Sequence, residues 1–284
     1  MIPTAPRRAG HRPTALPWLR VQLTYLYSHG RPARIAEPRL FTEYVQHRKL
    51  HDHDPRYPGL ADKVTAKEHV ATILGDDWII PTLWHGTALP DRPDFPRPFV
   101  VKSRHGCNQR AFVRSPDVDW QALRRRADRW VSRRYGYWLD EWLYAHIPPG
   151  VLIEPFIGPD GALPIDYKLF VFGGRVAFVQ VHLARETAHR WIVVDRDWRA
   201  AGGNGSRSGT VPGRPVSLPA MIDAAETLAK DFDFVRVDFY EVAGQPKFSE
   251  MTFYPGSGLY RLDPIALDRE MGLLWASARD SGSR

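Results

Sequence analysis

An α+β fold with mostly antiparallel strands is predicted for this 284-residue chain, on three observations. Two pairs of period-2 runs are joined by short glycine turns: residues 165–172 and 175–182 around Gly173-Gly174, and the strands on either side of Ala243-Gly244-Gln245. Two other stretches repeat apolar residues at helical spacing, one beginning at Trp120 and one at Met221. No regular alternation of strand and helix, the mark of a parallel sheet, is visible.

The elements follow in order. Residues 1–38 are rich in Pro and Arg, with a short apolar patch over 16–27, and the first dozen are expected to be disordered. A helix is expected over 41–49. A second follows Asp62-Lys63, where Val64, Val70, Ala71 and Leu74 form a stripe that Gly75 ends. Trp78-Ile79-Ile80-Pro81 has strand character. Residues 98–102 form a short apolar strand ending in Lys102. The loop from Ser103 leads to a returning strand at 111–113.

Asp117 or Asp119 caps a helix whose Trp120, Leu123, Ala127, Trp130 and Val131 face inward. Its other side carries Arg124, Arg125, Arg126, Arg129, Arg133 and Arg134, either a solvated face or one that attracts anions. Residues 151–158 read as a buried strand bent at Pro155. After the 165–182 hairpin comes a Gly/Ser-rich loop at 201–213. Ser217 then caps a helix with Met221, Ala225, Leu228 and Phe232 inside. A second hairpin and a helix ending near Ala276 complete the chain.

Composition narrows the function classes. Hydrophobic residues make up 43 % of the chain and aromatics 12 %, enough for a core. The net charge of +7 favours anionic partners such as nucleotides, acidic sugars or a membrane surface. Without a Lys/Arg block or an RNA-binding aromatic signature, nucleic acid is set aside. The single cysteine, Cys107, excludes an internal disulfide and fits a reducing compartment. With no signal-peptide core and no stretch of membrane-span length, a cytoplasmic protein is expected. His47, His51 and His53 with Asp52 and Asp54 resemble a metal cluster, but Pro55 and Pro58 make a polar loop the better reading.

The second hairpin carries the most chemistry. Pairing Asp238 with Glu250 sets Arg236 opposite Thr252 and Val237 opposite Met251, around the loop Ala243-Gly244-Gln245. One face is then Val235, Val237, Phe239, Met251 and Phe253; the other is Arg236, Asp238, Glu250 and Thr252. A slip of one residue would put Glu250 among the apolar side chains. From these residues alone the polar face is either a set of solvated cross-strand ion pairs or a site for a hard cation carrying phosphate.

The ordered set of motifs decides between these. It runs Phe41-Thr42-Glu43-Tyr44, Asp62-Lys63, Lys102 with His105-Gly106, Ile153-Glu154-Pro155-Phe156-Ile157 and Asp166-Tyr167-Lys168-Leu169-Phe170. Asp195-Arg196-Asp197-Trp198, Arg236-Val237-Asp238 and Glu250-Met251-Thr252-Phe253-Tyr254-Pro255-Gly256-Ser257-Gly258 follow. Over residues 41–275 this resembles the ATP-grasp superfamily, and most closely its TupA-like branch, associated with surface-polysaccharide and teichuronopeptide biosynthesis.

The resemblance implies two α+β lobes clamping ATP: an N-terminal reduced region over 1–60, lobe 1 over 61–153, lobe 2 over 154–276 and a tail over 277–284. It implies that Lys63 and Lys102 neutralise phosphates under a loop offering Arg104, His105, Gly106 and Asn108. Glu154, Phe156 and Ile157 would receive adenine, and Asp166 the ribose. Asp238 and Glu250 would hold Mg²⁺, with Thr252 where most members have Asn. Arg236 and Lys168 would act on the transferring phosphoryl group and substrate, and Gly256 and Ser257 would receive the substrate carboxylate. The implied activity is Mg-ATP-dependent carboxylate–amine ligation through an acylphosphate, with an anionic small-molecule or polymer-linked substrate. A hydroxyl kinase and a glycosyltransferase using Asp195-Arg196-Asp197 are the alternatives, and a non-catalytic ATP-binding regulator is a third.

Overall fold

The computed structural model describes residues 15–203 and 210–281. The first dozen residues, the centre of the Gly/Ser-rich loop and the last three residues of the tail lie outside them. Seven α-helices and ten strands are present among the described residues, with short 3-10 turns between them: α1 (Ala15–His29), α2 (Phe41–His51), α3 (Tyr57–Ala61), α4 (Thr65–Leu74), β1 (Trp84–Gly86), β2 (Phe99–Ser103), β3 (Arg110–Val113), α5 (Trp120–Val131), β4 (Val151–Pro155), β5 (Asp166–Phe172), β6 (Arg175–Leu183), β7 (Arg190–Asp195), β8 (Ala200–Gly203), α6 (Leu218–Ala229), β9 (Phe234–Val242), β10 (Gln245–Thr252) and α7 (Ile265–Ser281). They build two antiparallel sheets, a small one in the order β1-β4-β2-β3 and a large one in the order β10-β9-β5-β6-β7-β8. The expected α+β class holds.

Each sheet has its own helix. Asp119, not Asp117, caps α5 by accepting from the Ala122 amide at 2.8 Å. Trp120, Leu123, Ala127 and Trp130 then bury against Phe99, Val101 and Ile153 of the small sheet. On the large sheet, Met221, Ala225 and Leu228 of α6 cover Val235, Val237 and Phe239. The opposite face is apolar only at one end, where Phe41 of α2 and Trp275 of α7 pack against Phe172 and Phe234. The other end of that face is polar, and the site lies there.

Four local expectations are corrected. The apolar patch at 16–27 is a 15-residue helix. Trp78 ends a short 3-10 turn, and Ile79 makes only an isolated bridge to Phe248. Ser217 does not cap α6 with its hydroxyl, which donates instead to Glu241 at 2.6 Å. The loop between β9 and β10 has two residues, because Gln245 pairs with Val242. Ala243 and Gly244 both have positive φ, at 51° and 75°, as a two-residue hairpin turn requires. The extra residue sits in a bulge between Phe248 and Glu250, so the pairs Glu250–Asp238, Met251–Val237 and Thr252–Arg236 are those expected.

Candidate active site

On the small sheet, Glu154 of β4 is buried and holds two lysines. Its Oε1 pairs with Lys67 of α4, and its Oε2 with Lys102 of β2 at 2.5 Å. Lys67 also donates to the Ile80 carbonyl at 2.7 Å. Burial would raise the Glu154 carboxyl, but Lys102 and Lys67 overcome it and hold it at about 2. Burial draws the Lys67 ammonium down, whereas at Lys102 the pull of Glu154 wins and raises it. The expected adenine contact through the Glu154 carboxylate is thus replaced by a lysine clamp.

Beyond Glu154 the strand edge opens. β1 begins only at Trp84, opposite Ile153, so it does not cover the strand beyond it, while Phe156 still donates to the Pro98 carbonyl at 3.0 Å. Strand alternation therefore turns the Pro155 carbonyl and Ile157 amide away from β2. A cleft lies along this edge, walled by Val100, Phe112, Phe156, Ile157 and Leu163, with Tyr240 of β9 on the far side and Lys102, Arg110 and Arg185 among its polar groups.

The loop after Lys102 closes the small-sheet side. Lys63 donates to the Gly106 carbonyl at 2.7 Å. A Cβ at Gly106 would meet Gln109 Oε1 at 2.3 Å and Ser103 Oγ at 2.8 Å, and both of those buried atoms have no hydrogen-bond partner. Asn108 stands exposed at the tip with φ of 59°. Arg104 and His105, expected to face phosphate, are committed elsewhere. Arg104 Nε lies 2.7 and 2.8 Å from the two Asp62 carboxylate oxygens. His105 bonds the Trp130 carbonyl at 3.1 Å and accepts from the Gly150 amide at 3.3 Å. Both brace the loop from behind. Burial raises the Cys107 thiol, which contacts the Tyr144 hydroxyl at 3.4 Å.

The large sheet supplies the acidic wall. Asp238 is fully buried; Arg236 Nε reaches its Oδ1 at 2.7 Å, and Lys168 Nζ its Oδ2 at 2.5 Å. Lys168 also pairs with Asp166 at 2.8 Å, two positions back on the same face of β5, and is the register partner of Asp238 on β9. Arg236 Nη2 lies 3.0 Å from both Glu250 Oε1 and Thr252 Oγ1. The Thr252 hydroxyl is thereby engaged with Arg236 and, at 3.3 Å, with Glu250. Burial pushes the Asp238 carboxyl up to about 6 against Arg236 and Lys168, with Glu250 and Asp166 adding repulsion. At Glu250, Lys168, Arg236 and Lys63 outweigh burial and hold the carboxyl at about 2. The polar face expected to be half wet is mostly buried.

A turn of unusual backbone completes the site. Gly256, Ser257 and Gly258 all have positive φ, at 53°, 57° and 66°. For Ser257 this conformation is costly, by roughly 1–3 kcal/mol, and three side chains hold it. Lys49 of α2 donates to Ser257 Oγ at 2.6 Å and to its carbonyl at 2.8 Å, Gln46 donates to the same carbonyl at 2.8 Å, and Glu141 bonds the Ser257 side chain. Burial lowers the Lys49 ammonium to about 8 although Glu141 opposes it.

The donor set suits Mg-ATP. Asp238 and Glu250 offer hard oxygen ligands side by side, and the elevated Asp238 carboxyl is one that added positive charge would relieve. Around Asp166, the buried Asp166 Oδ1, Arg185 Nε and His182 Nε2 have no hydrogen-bond partner. Asp166 and His182 are register partners on β5 and β6. Asp195-Arg196-Asp197, by contrast, forms the turn between β7 and β8: Asp195 Oδ1 accepts from the Asp197 and Arg199 amides at 2.9 and 2.8 Å. That turn is three strands away from β9. His47 and His53 bond the Ile35 and Lys49 carbonyls, and no group of three or more His, Cys, Asp or Glu suited to a metal exists among the described residues.

Sequence reasoning missed Lys67, Lys49, Gln46 and Glu141. Their partners lie far away in the chain, and the only local signal was α2, where polar residues recur on every side of a buried helix.

The profile of the TupA-like ATPgrasp family matches residues 43–275. No curated protein matches the chain. Among solved structures, the ATP complex of D-alanine–D-alanine ligase from Bacillus anthracis is similar at 16 % identity and a TM-score of 0.42, over 78 % of this chain and 67 % of the ligase. The L-amino acid ligase from Bacillus licheniformis is similar at 13 % identity and a TM-score of 0.43, over 86 % of this chain and 50 % of the ligase. For the ATP-grasp ligase PsnB, complexed with a phosphomimetic variant of its minimal precursor, Mg and ADP, the figures are 12 %, 0.45, 80 % and 60 %. The chain thus spans half to two thirds of the length of these enzymes.

Proposed function

The chain belongs to the TupA-like ATP-grasp family, and from that premise we propose that it is a Mg-ATP-dependent carboxylate–amine ligase. The observation that carries the reading is one cleft with two unlike walls. A lysine clamp and open strand edge stand on the small sheet, and a buried Asp–Arg–Glu group stands on the large one. Adenine fits along the Pro155–Ile157 edge, ribose against Asp166, and phosphates between Lys63, Lys102 and the Gly106 loop. Asp238 and Glu250 would hold Mg²⁺, which when bound neutralises phosphate charge.

The chain's own groups then do positioning and charge work. Arg236 stabilises negative charge as the γ-phosphoryl group passes to the substrate carboxylate. Lys168 orients Asp238 and balances Asp166. The Gly256–Ser257 turn would receive the carboxylate, its backbone fixed from behind by Lys49 and Gln46 and the Ser257 hydroxyl held between Lys49 and Glu141. Attack by an amine on the acylphosphate releases phosphate and forms the amide. Lobe boundaries near 61 and 154 follow from this reading, as does a cytoplasmic location, where ATP is available. A sugar acid or peptidyl group of a surface polysaccharide is the proposed acceptor class, in keeping with the basic surface.

A screen of carboxylates and amines for ADP release tests the reaction class. Turnover that needs both a carboxylate and an amine supports ligation. Turnover with a hydroxyl compound alone replaces it with a kinase.

A further inference from the structure

The outward face of α1 carries a leucine stripe. Leu16, Leu19, Leu23 and Leu26 are 59, 48, 55 and 44 % exposed, and Tyr27 beside them is 94 % exposed. The inner face is docked firmly. Val21 and Tyr25 are buried with Ala33, Ile35 and Leu50, Arg20 pairs with Asp140, and the Tyr25 hydroxyl meets Thr42 Oγ1 at 3.0 Å. The stripe is therefore presented outward on a fixed helix. Residues 1–36 contain Arg7, Arg8, Arg12, Arg20, Arg31 and Arg34 and no Asp or Glu. Asp140 and Glu43 engage Arg20 and Arg31, and the segment still keeps an excess of positive charge.

We propose that α1 docks the protein on an anionic bilayer surface, its leucines among the acyl-chain tops, with the excess positive charge of residues 1–36 favouring the anionic headgroups. An apolar face next to an acid-free basic segment is the pattern of a helix that lies in the interface. Its 15 residues span about 22 Å, short of the roughly 30 Å hydrocarbon core. No helix among the described residues is long and apolar enough to cross a membrane. A second copy is the weaker occupant. Four leucines cover two heptads, fewer than the three or four a coiled coil sustains, and two copies would juxtapose two basic segments.

The placement has a consequence for the site, which rests on the ligase reading. Ser28 donates to the Leu259 carbonyl and His29 contacts the Gly258 carbonyl, so the end of α1 touches the turn that would receive the acceptor. Docking would set that turn close to the lipid surface.

Co-sedimentation with vesicles, without nucleotide, tests the docking independently of catalysis. The full chain is expected to pellet with phosphatidylcholine–phosphatidylglycerol vesicles, weakly or not at all with phosphatidylcholine alone, and less as salt is added. Leu19→Glu/Leu23→Glu should abolish pelleting with an unchanged melting curve. Arg7→Gln/Arg8→Gln/Arg12→Gln should weaken it on the order of a hundredfold. Wild type that stays in the supernatant with anionic vesicles, or a double-Glu variant that pellets like wild type, overturns the proposal. So does a concentration-dependent dimer, broken by the double-Glu change, without vesicle binding.

Discussion

Asp238 stands directly opposite Glu250 across β9 and β10, and one guanidinium, that of Arg236, joins them at 2.7 and 3.0 Å. The bulge between Phe248 and Glu250 creates this relationship. Without it, the two-residue turn would shift the pairing by one and turn Glu250 to the apolar face. Arg236 thus neutralises two carboxylates that a cation would otherwise separate, and its fork is shaped for both tasks.

Replacing Arg236 by Lys should keep the charge and lose the fork. Turnover is expected to fall about a hundredfold or more, with ATP affinity within a few-fold of wild type and cooperative melting retained. Steady-state ADP release beside calorimetry checks this; unchanged turnover would return Arg236 to a purely structural role.

Glu154 predicts a pH dependence of stability. Its carboxyl lies at about 2 in the folded chain against roughly 4.3 unfolded, a difference of about 3 kcal/mol. Because the folded value is depressed, this stability is fully present above pH ~4.3 and is lost as pH falls toward 2. Glu154→Gln should therefore cost about 3 kcal/mol at neutral pH, and the gap should narrow to about 1 kcal/mol near pH 3. Urea melts of both proteins at the two pH values measure it, and a gap independent of pH would contradict the lysine clamp.

Ser257→Gly removes the hydroxyl that accepts from Lys49 while easing a positive φ. The melting temperature should hold or rise, the KM of whichever acceptor supports ADP release should increase about tenfold, as for about 1.4 kcal/mol of lost contact, and the KM for ATP should not move. An increase confined to ATP would place the turn at the wrong end of the site.

The hairpin register was legible because Val235, Val237, Phe239, Met251 and Phe253 leave one pairing that buries them all. Its loop length was not, since a bulge and a longer turn leave the same register downstream. α1 was hidden because its apolar residues lie on both faces, Val21 and Tyr25 inward and Leu16, Leu19, Leu23 and Leu26 outward, which blurs the helical period. The Lys67–Glu154 pair was invisible for another reason: it spans 87 positions, and a lone lysine in a helix has no local signature. Arg104 and His105 were correctly placed in the loop, but their side-chain direction depends on Asp62 and Trp130, which only the packed structure brings near.

The central claim is that Asp238 and Glu250 bind the cation that carries ATP. Calorimetric titration of ATP with and without Mg²⁺, on wild type, Asp238→Ala and Glu250→Ala, tests it most directly. Wild type should bind ATP more tightly with Mg²⁺, and that gain should vanish in each variant while Mg-free binding remains. If both variants keep the full Mg²⁺ gain, the carboxylates are structural ion pairs and the metal assignment is contradicted.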